Sequence, residues 1–172
     1  MAEQASNGDD KRQPFGVDDL LALARDRSIE SRTRLVEIVG DLFFDAERVL
    51  SDRERSHMTE ILRRLIHDVE KSVRRALAER MAEESAAPAD LIVALANDEI
   101  EVAYPILIQS AVLQDVDLIE VIHHRSEKHR LAVAIRENVS ATVSDALVET
   151  GDSDVIKSLL ENASAAISRA TM

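Results

Sequence analysis

The feature of this sequence that most constrains its fold is a series of short amphipathic segments in its second half. Residues 95–140 read LANDEIEVAYPILIQSAVLQDVDLIEVIHHRSEKHRLAVAIRENVS. Apolar residues recur there every three or four positions, the spacing that places them on one face of an α-helix. Polar capping residues and asparagines interrupt the pattern at short intervals. The sequence therefore predicts short helices in series, each with one face to bury.

These segments form an internal repeat. The apolar residues that open one set of helices are Val73, Val102, Leu131 and Val155, with spacings of 29, 29 and 24 residues. The intervening helices open with Leu91, Leu118 and Val143, with spacings of 27 and 25 residues. Paired short helices that recur at such a period are typical of an α-solenoid, in which stacking buries the faces that one pair leaves exposed. We therefore predict an all-α solenoid of short paired helices in one compact domain, with a nonrepeating helical bundle as the alternative.

Capping residues set the expected helix boundaries. We predict helices at 88–96, 99–110, 115–124, 127–137, 140–149, 153–162 and 163–170. The predicted N-caps are Asp98, Ser126 and Asp152, and the residues expected at C-terminal ends are Asn97, Asn138, Gly151 and Asn162. Pro105 lies inside the apolar pattern of its helix, where it should remove one backbone hydrogen bond and kink or tighten the helix.

The first half of the chain is less regular. Residues 1–16 are polar and predict a disordered N-terminal tail, so the helical-repeat domain should cover 17–170. Ser51 and Glu54 have the spacing of a capping box. The apolar stripe that follows permits one long helix over 52–83, whereas the repeat favours a break near Asp68.

Charge and composition exclude several functions. The formal net charge is −12, and residues 84–172 contribute 6 basic and 15 acidic side chains. An acidic surface disfavours nucleic acid and anionic membranes as partners. The chain has no cysteine, no apolar run long enough to span a membrane and no secretion signal, so we expect a cytoplasmic location.

Catalytic and metal-binding motifs are missing from the sequence. His124 and His129 are five residues apart, which is not the zinc-binding spacing on a helix, and there is no HExxH. Four scattered glycines cannot form a nucleotide-binding loop. Paired aspartates at helix starts are explained by the helix dipole. We therefore expect no enzyme activity, no metal and no cofactor.

One histidine supports an alternative function. His67 and Asp68 lie in TEILRRLIHDVEKSVRRAL, which superficially resembles the phosphoacceptor box of some sensor histidine kinases. The aspartate would orient the imidazole, and nearby arginines would attract phosphate. This phosphotransfer or dimerisation hypothesis requires a continuous exposed helix over 52–83.

Two basic segments are the candidate contacts for a protein partner. The first, which we call the basic cluster, contains Arg63, Arg64, Lys71, Arg74, Arg75 and Arg80, and the second contains His123, His124, Arg125 and Arg130. The leading hypothesis is a non-catalytic protein-interaction or regulatory adaptor module that binds through these residues, with a homodimer as one possibility. Charge reversal at Arg74 and Arg75 should then abolish partner capture and leave folding intact. The alternative for the basic cluster is a solvated, salt-bridged helix face.

Three runs of the sequence also resemble a known family. They are LANDEIEVAYPILIQSAVLQDVDLIEVI, HRLAVAIRENVSATVSDALVETGD and VIKSLLENASAAIS. Over about residues 18–170 the chain resembles an uncharacterised alphaproteobacterial domain-of-unknown-function family, family 2336. The resemblance rests on 98–105, Ser110, 115–118, 135–136, 151–152 and 162–163. It implies a HEAT- or armadillo-like helical-repeat fold and no particular activity.

Overall fold

The computed structural model describes residues 22–45 and 51–168, and all the regular structure in these ranges is helical, with no strand. Residues 22–25 are helical and precede the named helices. These are α1 (Ile29–Phe44), α2 (Asp52–Leu65), a 3₁₀ turn (Ile66–Asp68), α3 (Lys71–Ala82), α4 (Ala89–Ala96), α5 (Ile100–Gln109), α6 (Asp115–His124), α7 (Glu127–Ala134), α8 (Ala141–Glu149) and α9 (Ser153–Glu161). The predicted all-α class is confirmed. The predicted tail at 1–16 lies outside the described residues.

Alternate helices pack against one another. In what we call the first row, α1 contacts α3, α3 contacts α5, α5 contacts α7 and α7 contacts α9. In the second row, α2 contacts α4, and α6 contacts α8. Each second-row helix also contacts first-row neighbours, so the core lies between the two rows. As a result, the turns that precede successive first-row helices come close together in space.

The core is aliphatic, as expected from a chain with only 2% aromatic residues. In α4 the buried residues are Leu91, Ile92, Leu95 and Ala96, at the spacing that gives a helix one buried face. Burying a leucine or isoleucine side chain contributes about 1.5–3 kcal/mol. In the ranges described, no helix is both long and apolar enough to cross a membrane.

The structure corrects the register of the repeat at α7. The third residue of α5 is Val102 and that of α9 is Val155, and both are buried. The third residue of α7 is His129, which is buried, whereas Leu131 is only partly buried. The alignment of Leu131 with the valines was therefore wrong by two residues, because it assumed that the buried position must be apolar.

The apolar residues over 52–83, which could have formed one long helix, are divided between α2 and α3. α2 ends at Leu65, the 3₁₀ turn follows, and Glu70 is the N-cap of α3. Both Ile66 and Val69 are buried at this point, so the chain is anchored to the core where it changes direction. The predicted break near Asp68 is confirmed, and the single long helix is wrong.

Several predicted caps are confirmed and two are wrong. Ser51 and Glu54 form the reciprocal hydrogen bonds of a capping box. Gly151 has a φ of 73°, the left-handed conformation that favours glycine. The N-cap of α5 is Glu99 rather than Asp98, because the Asp98 carboxylate accepts hydrogen bonds from an arginine in α3. Asn138 lies four residues after the end of α7 at Ala134 and is not its C-cap, whereas Asn162 is the C-cap of α9 as predicted, with an extended backbone.

One predicted helix is shorter in the structure, and another is not found in the described residues. The helix expected over 127–137 ends at Ala134, and the helix expected over 163–170 is absent from the described residues 163–168. Residues that follow α9 instead bond to the end of α7 and to the turn after it: the Asn162 amide donates to Ala134 O and Arg136 O, and the Ala166 N–H donates to Val139 O. Pro105 lies inside α5 as expected.

A buried serine in α8 allows a stability prediction. The Ser144 hydroxyl is fully buried and has no hydrogen-bond partner among the described residues. Ser144→Ala should therefore raise the free energy of unfolding by about 1 kcal/mol, since a buried unpaired polar group is costly and alanine favours helix. Ser140→Ala should lower it by about 1 kcal/mol, because Ser140 caps α8. Urea unfolding followed by circular dichroism measures both, and a loss of stability in Ser144→Ala would contradict the prediction.

Candidate functional site

Arginines recur at one position in the first-row helices. The fourth residue of α1, α3 and α7 is an arginine. Each of these arginines pairs with an aspartate that lies shortly before the next first-row helix. The pairs are Arg32–Asp68 at 2.8 Å, Arg74–Asp98 at 2.7 Å and Arg130–Asp152 at 2.6 Å. Each pair therefore joins one helix pair of the chain to the next. These ion pairs were not predicted from the sequence, although arginines that recur at one helix position were a signal for them.

Two predicted partner contacts belong to these ion pairs. The Arg74 side chain is 13% exposed, and it donates to the Asp98 carboxylate, Val69 O and Glu99. Arg130 is partly buried and donates to Asp152 and to Arg125 O. Most of the N–H groups of these two guanidinium groups are occupied within the chain, so they have few to offer a partner.

The other members of the basic cluster are exposed and paired. Arg63 and Arg64 both contact Glu60, and these two arginines, Arg64 first, lower the pKa of that carboxyl. Hydrogen bonds to Glu99 and then Glu101 raise the pKa of Lys71. Arg75 pairs with Glu79 one turn along α3, and Arg80 pairs with Asp41. This is the arrangement expected of a salt-bridged helix face, and docking of a partner there stays a prediction.

A groove brings the two predicted contact segments together. It has a volume of about 670 Å³ and lies where the turns before α3, α5 and α7 meet. We call it the loop-edge groove, and its lining residues are His67, Arg74, Ala94, Asn97, Asp98, Glu99, His124, Arg125, Ser126 and His129. His123 is exposed on α6, with its ring centroid 6.4 Å from that of His124.

Three exposed side chains give the groove its available hydrogen-bond donors. Arg125 is exposed, and its Nε donates to Asn97 Oδ1 at 3.0 Å, which orients the guanidinium. His124 is exposed and contacts Glu120 at 3.2 Å. His67 is also exposed. Unlike Arg74, these residues present donors to solvent.

The buried wall of the groove is formed by His129. Its Nε2 lies 2.9 Å from Asp98 O and its Nδ1 lies 2.8 Å from Ser126 Oγ. Because a carbonyl can only accept, Nε2 carries the proton and Nδ1 accepts from the hydroxyl. Both ring nitrogens are thus satisfied, which explains how a histidine occupies a position held by valine in other repeats. His129 is therefore a structural link between successive turns.

The position of His67 disagrees with the phosphotransfer hypothesis. His67 lies in the 3₁₀ turn after α2, so the continuous helix that the phosphotransfer hypothesis requires is interrupted. Over 22–45 and 51–168, no group of three or more His, Cys, Asp or Glu side chains is placed to hold a metal ion.

Comparison with known families finds similarity over the C-terminal part of the chain. The model of a family described as an uncharacterised protein conserved in bacteria (DUF2336) matches residues 102–172. The chain is similar to this family. The matched span runs from within α5 through α9, so it includes His124, Arg125 and His129 but not His67 or Arg74. The description assigns no activity. No curated protein and no solved structure matches the chain.

Proposed function

We propose that this chain is a non-catalytic protein-interaction module, built as an α-solenoid of short helix pairs similar in kind to HEAT and armadillo repeats. The packing of each first-row helix on the next supports this proposal, because solenoid repeats contact mainly their neighbours. The ion pairs at the fourth position of α1, α3 and α7 support it as well. The cytoplasmic location expected from the sequence stays a prediction.

The observation that carries the proposal is the loop-edge groove. His67, His124 and Arg125 are exposed there together with Glu99 and Ser126, and they come from the turns of different helix pairs, so a partner that binds there contacts more than one helix pair. The orientation of Arg125 leaves its two Nη groups as a fork, which matches the two oxygens of a carboxylate. The proposed partner is therefore a protein segment that carries aspartate or glutamate.

Charge reversal at Arg125 tests the groove. We expect Arg125→Glu to remove the partners that the parent chain captures from a bacterial lysate, because the new carboxylate repels the acidic segment. Lys157→Glu makes the same change in charge on α9, outside the groove, and should leave capture unchanged. Quantitative mass spectrometry compares the three samples. Capture should also weaken as salt is raised from about 0.05 to 0.5 M.

The same experiment shows how the proposal would fail. If the parent and both variants capture the same proteins in equal amounts, the groove is not the contact. If both variants lose the same proteins, net charge rather than the groove is responsible. Light scattering of the purified chain tests the predicted homodimer separately.

A further inference from the structure

The first-row helices differ in side-chain chemistry at two positions, and packing against the core explains only part of this difference. The fifth and ninth positions, counted from the start of each first-row helix, are on its outer side. In α3 and α9 they are charged: Arg75 with Glu79, and Lys157 with Glu161. In α5 the same positions are apolar, Tyr104 with Ile108, and so are Leu131 in α7 and Ile135, the residue that follows α7. Charged side chains at the flanking helices show that this register does not have to be apolar for the fold to form.

We call these four apolar residues the apolar patch. Tyr104 is 43% exposed and Ile135 is 49% exposed, while Ile108 and Leu131 are partly buried. Ile108 and Ile135 line one groove of about 610 Å³ between the C-terminal ends of α5 and α7. Tyr104 and Leu131 lie one turn earlier on the same faces. Because α5 packs against α7, the patch lies on two adjacent helices, with the groove at its Ile108 and Ile135 end.

Charged side chains lie around the patch. Glu127 begins α7 and is exposed, and Glu137 lines the groove at the other end beside Arg136. Glu101, near the start of α5, is paired with Lys71. Residues 84–172 contain 15 acidic and 6 basic side chains, so the wider surface is acidic. A ligand of the patch therefore needs an apolar stripe and positive charge that can reach Glu127 and Glu137. An anionic lipid surface or a second copy of this acidic chain would bring like charges together.

We propose that the apolar patch binds a cationic amphipathic α-helix of a partner protein. An α-helix presents apolar side chains at i, i+3, i+4 and i+7, a spacing that can cover apolar side chains on two packed helices. Lysines or arginines beside that stripe would reach Glu127 and Glu137. None of the four patch residues lines the loop-edge groove, so this proposal and the proposed function stand or fall separately.

A designed peptide tests the proposal directly. The probe is a fluorescein-labelled 18-residue peptide with leucine at helical i, i+3, i+4 and i+7 spacing and lysine elsewhere, and fluorescence anisotropy measures its binding. We expect saturable binding to the parent chain. Tyr104→Ser combined with Ile135→Ser should weaken binding at least about tenfold, as expected when central apolar contacts of an interface are lost. A peptide of the same composition in scrambled order, and one with glutamate for lysine, should not bind.

Matched variants show whether the patch itself is responsible. Val116 on α6 and Leu160 on α9 are exposed apolar residues outside the patch, so Val116→Ser combined with Leu160→Ser should bind like the parent. Circular dichroism checks that both double variants keep the parent's helix content. Equal weakening in the two double variants would overturn the proposal, as would unchanged binding in the Tyr104 and Ile135 variant. A mass in light scattering that doubles in the parent and not in that variant would assign the patch to a second copy instead.

Discussion

Arg74→Glu is expected to lower the free energy of unfolding by about 3–5 kcal/mol, the cost of breaking a largely desolvated ion pair. Arg74 and Asp98 are only 13% and 14% exposed, and the arginine also donates to Val69 O. The substitution removes these hydrogen bonds and places a carboxylate next to those of Asp98 and Glu99. Urea unfolding followed by circular dichroism at 222 nm measures the loss.

The neighbouring residue provides the control for this substitution. Arg75 is 59% exposed and pairs only with Glu79 on its own helix, so Arg75→Glu should cost no more than about 1 kcal/mol. Exchange of the partners, Arg74→Asp with Asp98→Arg, should recover part of the loss. Equal losses of stability in Arg74→Glu and Arg75→Glu would show that the Arg74–Asp98 ion pair does not join α3 to the turn before α5. The combined reversal at both positions is therefore not a clean test of binding, since the first change alone should impair folding.

Local structure could be predicted well where nearby residues determine it. The bounds of α6 were predicted as 115–124 and are confirmed, because its apolar spacing and acidic first turn both lie within the helix. The capping box of Ser51 and Glu54 depends on residues three apart. The left-handed backbone at Gly151 depends on a single residue. In each case the deciding interaction lies within one turn of helix.

The roles of residues that bond to side chains or carbonyls far away in the sequence could not be predicted in the same way. Asp98 looks like an N-cap in sequence, but its carboxylate is bound by an arginine 24 residues earlier. His129 looks like a polar surface residue until the Asp98 carbonyl and Ser126 hydroxyl are seen to satisfy its ring. Leu131, two residues later, was the more reasonable choice on hydrophobicity alone.

The sequence predicted two segments that could contact a partner, but not which of their side chains come together in the loop-edge groove. Arg74, Arg125 and Arg130 are equivalent in a list of basic residues, yet two lie at the fourth position of a helix and are paired within the chain. Arg125 lies in the turn before α7, where only its Nε is bonded to Asn97 and its fork faces the groove. Position relative to the helix start therefore separates a structural arginine from one that can meet a partner.

Asn162→Asp is expected to lower the free energy of unfolding by about 2–3 kcal/mol, because it replaces a donor with a charged acceptor. The Asn162 Nδ2 donates to Ala134 O at 2.9 Å and to Arg136 O at 2.7 Å. The first of these carbonyls belongs to the last turn of α7, whose C=O groups have no partner within the helix. A carboxylate would lose both bonds and place negative charge against two carbonyl oxygens. Thermal and urea unfolding both measure the loss.

Asn138, in the turn after α7, gives the matched control. Asn138 is exposed, with a φ of 57°, a conformation that aspartate also tolerates. Asn138→Asp should therefore change the free energy of unfolding by no more than about 0.5 kcal/mol, the usual limit for a surface substitution. Ser164 donates to Asn162 Oδ1, a bond that the carboxylate keeps, so the local turn should survive while α9 loses one of its links to α7. Faster amide exchange in α9 would show this, and equal stability of the two variants would contradict a role for Asn162 in joining the repeats.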